Sequence, residues 1–113
     1  MEIKSEDYQA RYEPTEGRVE IFGILRLSGL PEYQPIMDLL LQAVEAHSKL
    51  TVDLSKLEFL NSSGISMLSM FVVQVRGKGT IDLTIQGSSQ IFWQTKSLKN
   101  LQRLMPSLIL QID

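Results

Sequence analysis

The order of hydrophobic patterns in this chain predicts an α/β protein built on an open, mixed β-sheet with packed helices. Three observations carry that expectation: two alternating segments joined by a tight turn near the N-terminus, runs at helical spacing that then alternate with short β-prone runs, and no repeat or linker in 113 residues. A chain of this length is expected to form one domain over 1–113, burying about two thirds of its unfolded surface in a single core.

Tyr8 to Glu13 alternates Tyr8, Ala10 and Tyr12 with Gln9, Arg11 and Glu13, the period of a half-buried strand. Pro14-Thr15-Glu16-Gly17 has turn chemistry, and Val19 to Ser28 resumes the alternation, so the two segments form a hairpin. Gly29 and Pro31 end it, and Pro35 is expected in the first turn of the next helix, where its missing N–H costs nothing. Ile36, Leu39, Leu40, Ala43 and Val44 give that helix one apolar face, with His47 near its end as an incidental, solvated residue. Leu50 to Leu54 is a third strand. A strand, a crossover helix and another strand imply a parallel pair with a right-handed connection.

Ser55 to Leu60 mixes charge with apolar anchors and reads as a loop. Asn61-Ser62-Ser63-Gly64 then opens a second helix whose core stripe is Ile65, Leu68, Val72 and Val75 and which stops at Gly77-Lys78-Gly79, a turn without phosphate-loop spacing. Ile81, Leu83 and Ile85 mark a fourth strand. Gly87-Ser88-Ser89 leads into a third helix with Ile91, Leu98, Leu101, Leu104 and Met105, which Pro106 ends, and Leu108 to Ile112 alternates as a final strand. Trp93, early in the third helix, is either a core anchor or an exposed contact.

With 43% hydrophobic and 21% charged residues, the composition is that of a globular protein and not of a disordered chain or coiled coil. A net charge of -2 and scattered lysines and arginines leave no basic stripe for nucleic acid. Asp38 and Gln42 break the longest apolar cluster, so no membrane span is expected, and MEIKSED is charged where a signal peptide would be apolar. The absence of cysteine removes disulfides, thiolate catalysis and thiolate metal sites, and fits a cytoplasmic protein. Catalysis needs a base beside its nucleophile, and one histidine with no paired-carboxylate motif makes an enzyme, a metal or a cofactor unexpected here.

The informative stretch is Thr51 to Met70, which passes from strand through loop to helix and puts serines where the helix begins. A helix N-terminus carries unpaired N–H groups and a partial positive charge, so it favours an oxygen cap and, more strongly, a phosphate. Simple capping is the other role open to Ser62 and Ser63. Beyond the loop, the side of the helix opposite its core stripe carries Ser63, Ser66, Met67, Met70 and Gln74 without a charge. Such a face suits docking, with burial against a neighbouring element as the alternative for the two methionines.

The segment VDLSKLEFLNSSGISML resembles the signature of the STAS domain, the bacterial anti-sigma factor antagonist type, and the order of elements agrees along the whole chain. Asp53-Leu54-Ser55 matches the family's strand end, and Asn61-Ser62-Ser63-Gly64 stands where the family usually has Asp-Ser-Ser-Gly at a helix start. The resemblance implies a non-catalytic module of signal transduction and transcription regulation. Its partner would be a partner-switching serine kinase, often itself the anti-sigma factor, and Ser62 would be phosphorylated, with Ser63 as second candidate. The implied switch loop is Asp53, Ser55, Asn61, Ser62, Ser63 and Gly64, while the uncharged helix face, independently of the resemblance, makes Ser66, Met67, Met70 and Gln74 the expected partner-binding residues. Asn61 in place of aspartate keeps the cap but not the charge. Related STAS domains also resemble accessory subunits of membrane transport complexes, which need no phosphorylation. Asp53 as a receiver-type phospho-acceptor fits less well, since no acidic pair follows the first strand and a receiver has no N-terminal hairpin.

Overall fold

Alternation near the N-terminus becomes strand pairing. In the computed structural model, which describes residues 1–113, β2 (Tyr8–Glu13) and β3 (Arg18–Leu25) run antiparallel with Ala10 opposite Ile21 and Tyr12 opposite Val19, so four buried side chains share one face. A short β1 (Glu2–Lys4) precedes them and pairs with β2. The chain then crosses over through α1 (Gly29–Ala46) to β4 (Lys49–Asp53), which lies parallel to β3 as expected. After it come β5 (Leu57–Leu60), α2 (Ser62–Lys78), β6 (Asp82–Gly87), α3 (Gln94–Leu104) and β7 (Ile109–Ile112). The sheet order is β1-β2-β3-β4-β6-β7, with β5 attached to β3, and two antiparallel pairs beside four parallel ones make it the open mixed sheet anticipated above.

All three helices pack on one side of the sheet. Val19, Ile21, Leu50, Val52, Leu83 and Ile85 point into a core shared with Ile36, Leu40, Leu68, Phe71 and Leu98 of the helices. Their strand neighbours Arg11, Glu13, Glu20, Thr51, Thr84 and Gln86 remain on the opposite face, where Arg11 lies within 4.0 Å of Glu2, Glu13 and Glu20. Exposed pairs of this kind add little stability but keep the bare face soluble. No helix is long and apolar enough to cross a membrane.

Three local expectations are corrected, and one unanticipated strand, β1, is added. Ser55 to Leu60 is not all loop, because Leu57–Leu60 forms β5 against the second half of β3, Phe59 beside Ile24 and Leu60 beside Leu25. The N-terminal residues form β1 because Glu2 lies opposite Arg11 and accepts a 2.8 Å bond from Gln9. Helix α1 begins at Gly29, so Pro31 occupies its first turn and Pro35 lies inside the helix. Both prolines are exposed, which leaves the carbonyl that loses its donor on the solvent side. His47 is half-buried, its Nε2 2.8 Å from the Tyr12 hydroxyl and its ring edge-on to Tyr12, so it ties the end of α1 to β2.

The register of β3 shifts between Gly23 and Ile24, and this bulge is what lets one strand pair first with β4 and then with β5. Gly23 has φ +99°, and a Cβ there would stand 2.4 Å from the Asp7 carbonyl oxygen. Gly23→Ala is therefore expected to cost about 2 kcal/mol or more in chemical denaturation, from backbone strain and overlap together.

Candidate functional site

The loop between β5 and α2 is organised by one side chain. Asn61 is the N-cap of α2, and its Oδ1 accepts from the Gly64 N–H at 3.0 Å and from the Tyr33 hydroxyl at 2.6 Å. Its Nδ2 donates to the Leu27 carbonyl at 2.8 Å. Both ends of the amide are thus used: the oxygen must meet two donors and the nitrogen an acceptor. A carboxylate would keep the cap but would turn a second oxygen toward a carbonyl, which explains in physical terms why an amide suits this position. The Asn61 N–H also donates to the Leu25 carbonyl at 3.2 Å, so the start of α2 is pinned to the end of β3.

Tyr33, in α1, reaches this loop from a fully buried position. Burial raises its phenol above the ordinary 10.0; the Leu27 backbone opposes that shift and the charge of Tyr8 adds slightly to it. Gly64 makes room for the contact, because a Cβ there would lie 2.2 Å from a Leu60 methyl and 2.8 Å from the Tyr33 hydroxyl. Gly64 belongs to the motif read from the sequence, but Tyr33 does not stand out there, since it carries no local signal for a contact 28 residues away.

These contacts fix the backbone on which Ser62 stands. Ser62 is the first residue of α2 and is exposed, whereas Ser63 is half-buried. None of the bonds that hold the loop uses the Ser62 hydroxyl. No acidic side chain sits in the first turn of α2, while Arg76 and Lys78 lie in its last turn, so its positive end is left uncompensated.

Asp53 and Ser55 form a separate bonded unit. Asp53 is buried, pairs with Arg18 of β3, and accepts from the Ser55 N–H at 2.9 Å and from the Ser55 hydroxyl at 2.6 Å. That arrangement caps the β4–β5 turn and shares no hydrogen bond with Asn61. The same turn is clamped by Gln94, a fully buried residue at the start of α3 that the hydrophobic pattern does not reveal. Its Nε2 donates to the carbonyls of Leu54 and Leu57 at 2.6 and 2.9 Å, and its Oε1 accepts from the Ser88 N–H at 2.8 Å. Trp93 is half-buried beside it, its indole N–H bonded to the Leu57 carbonyl at 3.0 Å.

The uncharged face of α2 is narrower than expected. Ser66, Met70 and Gln74 are exposed, Met70 at 46%, and they are joined by Val73 at 38%. Met67 is 2% exposed and belongs to the core, which corrects its assignment to the docking face. The reason is that α2 packs against both α1 and α3, so its buried stripe widens to Gly64, Met67, Leu68, Phe71, Val72 and Val75, while Ile65 is only half-buried. What remains exposed is a shallow apolar groove lined by Ser69, Met70, Val73 and Gln74 of α2 and Leu104 of α3.

No family model matches the chain, and no curated protein matches it in sequence. Among solved structures it is similar to SiaC of Pseudomonas aeruginosa, with TM-score 0.75 and 12% identity over 100% of this chain and 96% of that one. Apo-SiaC from the same organism gives TM-score 0.73 and 12% identity, covering 100% and 97% of the two chains. A chain in the crystal structure of the diguanylate cyclase SiaD in complex with its activator SiaC gives TM-score 0.67 and 12% identity over 100% and 99%. At that identity the likeness establishes the fold, an α/β architecture shared from end to end. The STAS resemblance of the motif has no family match beside it.

Two outcomes follow from this geometry. Met67→Lys is expected to cost about 3–5 kcal/mol of stability and Met70→Lys less than about 0.5 kcal/mol, compared by denaturant titration. Tyr33→Phe should cost about 1 kcal/mol at neutral pH through its bond to Asn61. Because the folded phenol ionises above 10.0, the unfolded chain gives up this proton first, and the Tyr33 contribution is present below that pH and lost as pH rises through the folded value. The gap between the two proteins should therefore shrink in alkali.

Proposed function

We propose that this protein is a non-catalytic regulator that docks onto a signalling enzyme through the exposed face of α2, and that phosphorylation of Ser62 releases it. One observation carries the proposal: Asn61 holds the first turn of α2 through three side-chain hydrogen bonds and leaves the adjoining Ser62 exposed. A modifying enzyme can reach that residue without unfolding anything.

Phosphorylation would add about −1.5 to −2 charge. The first turn of α2 has no acidic neighbour to repel it, and free N–H groups at a helix start favour it, so the fold tolerates the change. A bound partner does not. Ser66, Met70, Val73 and Gln74 form an uncharged surface one to three turns further along, and a partner seated on it would have to bury a doubly charged group at its margin.

SiaC, whose fold this chain shares, is described as the activator of the cyclase SiaD and is found in complex with it, which supports a role in binding an enzyme and altering its output. The STAS-like motif supports a serine kinase as the enzyme that modifies Ser62. The kinase and the regulated enzyme are one protein where a partner-switching kinase acts as the anti-sigma factor, and two where the regulated enzyme is of another kind.

The test is the affinity of a copurified partner for the wild type, Ser62→Ala and Ser62→Asp. Ser62→Ala should bind within about twofold of wild type and Ser62→Asp about tenfold or more weakly. Equal binding by all three would reject the switch.

A further inference from the structure

The sheet ends on two edges of unlike chemistry. On one side, β1 has three residues, and charged Glu2 and Lys4 flank Ile3, the kind of short charged edge that discourages pairing. On the other side, β7 reads Ile109-Leu110-Gln111-Ile112, with no charge, proline or register shift in it. The Asp113 N–H donates to the Gly87 carbonyl at 3.2 Å and the Asp113 carbonyl accepts from the Ser89 N–H at 3.0 Å, so the backbone of Asp113 faces β6. Peptide groups alternate sides along a strand. Ile109 and Gln111 therefore also face β6, and the N–H and C=O groups of Leu110 and Ile112 face outward.

We infer that β7 pairs antiparallel with β7 of a second copy of this chain, about a two-fold axis through Gln111, which joins two sheets into one. The edge is complementary to itself. With Leu110 opposite Ile112 of the second copy, every outward N–H and C=O of both strands finds a partner in a hydrogen-bonded pair, and Gln111 faces itself in the closer, non-bonded pair. Leu110 and Ile112 already lean on the core from the helix side, so the same register extends that apolar layer across the junction. Gln111 lies on the open face beside Gln86, so the axis brings two neutral amides together and no like charges. Ile109, 49% exposed, adds apolar surface at the same edge. A head-to-tail contact of β7 with β1 would instead set Glu2 and Lys4 against apolar side chains and would propagate without closing. The two-fold pair closes on itself, places its one charge against apolar surface only at the strand end, where Asp113 meets Ile109 of the second copy, and involves none of the exposed residues of α2.

Sedimentation equilibrium of the full chain over the micromolar to millimolar range tests this. The expected mass rises from 12.8 kDa toward twice that value with concentration. Gln111→Lys and Gln111→Glu should each weaken association by about fivefold, since like charges then face each other across the axis, and mixing the two variants should restore it. Gln111 is exposed, and circular dichroism should find both variants folded. A single-chain mass throughout, a dimer that both variants leave intact, or a mixture no tighter than either variant alone would overturn the pairing.

Discussion

The Asn61 amide joins parts of the chain that are far apart in sequence. Its oxygen receives Tyr33 from α1 and Gly64 from α2, and its nitrogen reaches Leu27 at the exit of β3. Each bond contributes only about 1 kcal/mol net, but the loss of the side chain would leave a buried phenol and a helix-end N–H without partners, which costs more than the bonds themselves. Asn61 therefore decides where α2 begins and which residue stands exposed as its first. The position of Ser62 is a consequence of packing made elsewhere.

A second clamp does for the β4–β5 turn what Asn61 does for the helix start. Gln94 enters from α3 and takes the carbonyls of Leu54 and Leu57, while Asp53 and Arg18 close the turn from the open side of the sheet. Between these clamps lies β5, a strand of four residues that pairs only with β3. On the proposed function this division matters, since the turn at Asp53 supports the loop mechanically and Ser62 is free to carry the chemical change. The residues that the STAS resemblance groups as a single switch loop thus form two hydrogen-bonded units, joined by a strand.

Much of this was legible in the chain because period and burial agree. The strands at Tyr8, Leu50 and Leu83 and the stripe of α1 follow from alternation or helical spacing, as do Leu68, Val72 and Val75 of α2 and Leu98 and Leu101 of α3, whereas Ile65 is half-buried and Ile91 lies before α3 begins. The misses arise where a second contact adds to the first. Met67 lies on the flank of a helix with neighbours on both sides, and a single-stripe pattern cannot anticipate that cover. The residues of β5 show no alternation because the bulge at Gly23, and not their own pattern, sets their pairing. Tyr33 and Gln94 are polar-tipped side chains whose partners are 28 and about 40 residues away, and nothing local marks them. The cap at Asn61 was legible; the reason for an amide there was not, because the acceptor is a backbone carbonyl.

The proposed switch at Ser62 can be tested on protein taken from its native cell. Peptide mass spectrometry would map phosphate, and the bound partner would be quantified separately for the modified and unmodified fractions. The expected result is phosphate on Ser62 in part of the population, with the partner enzyme retained mainly by the unmodified part. A Ser62 that stays unmodified under every growth condition, or a partner that remains equally bound to both fractions, would contradict it.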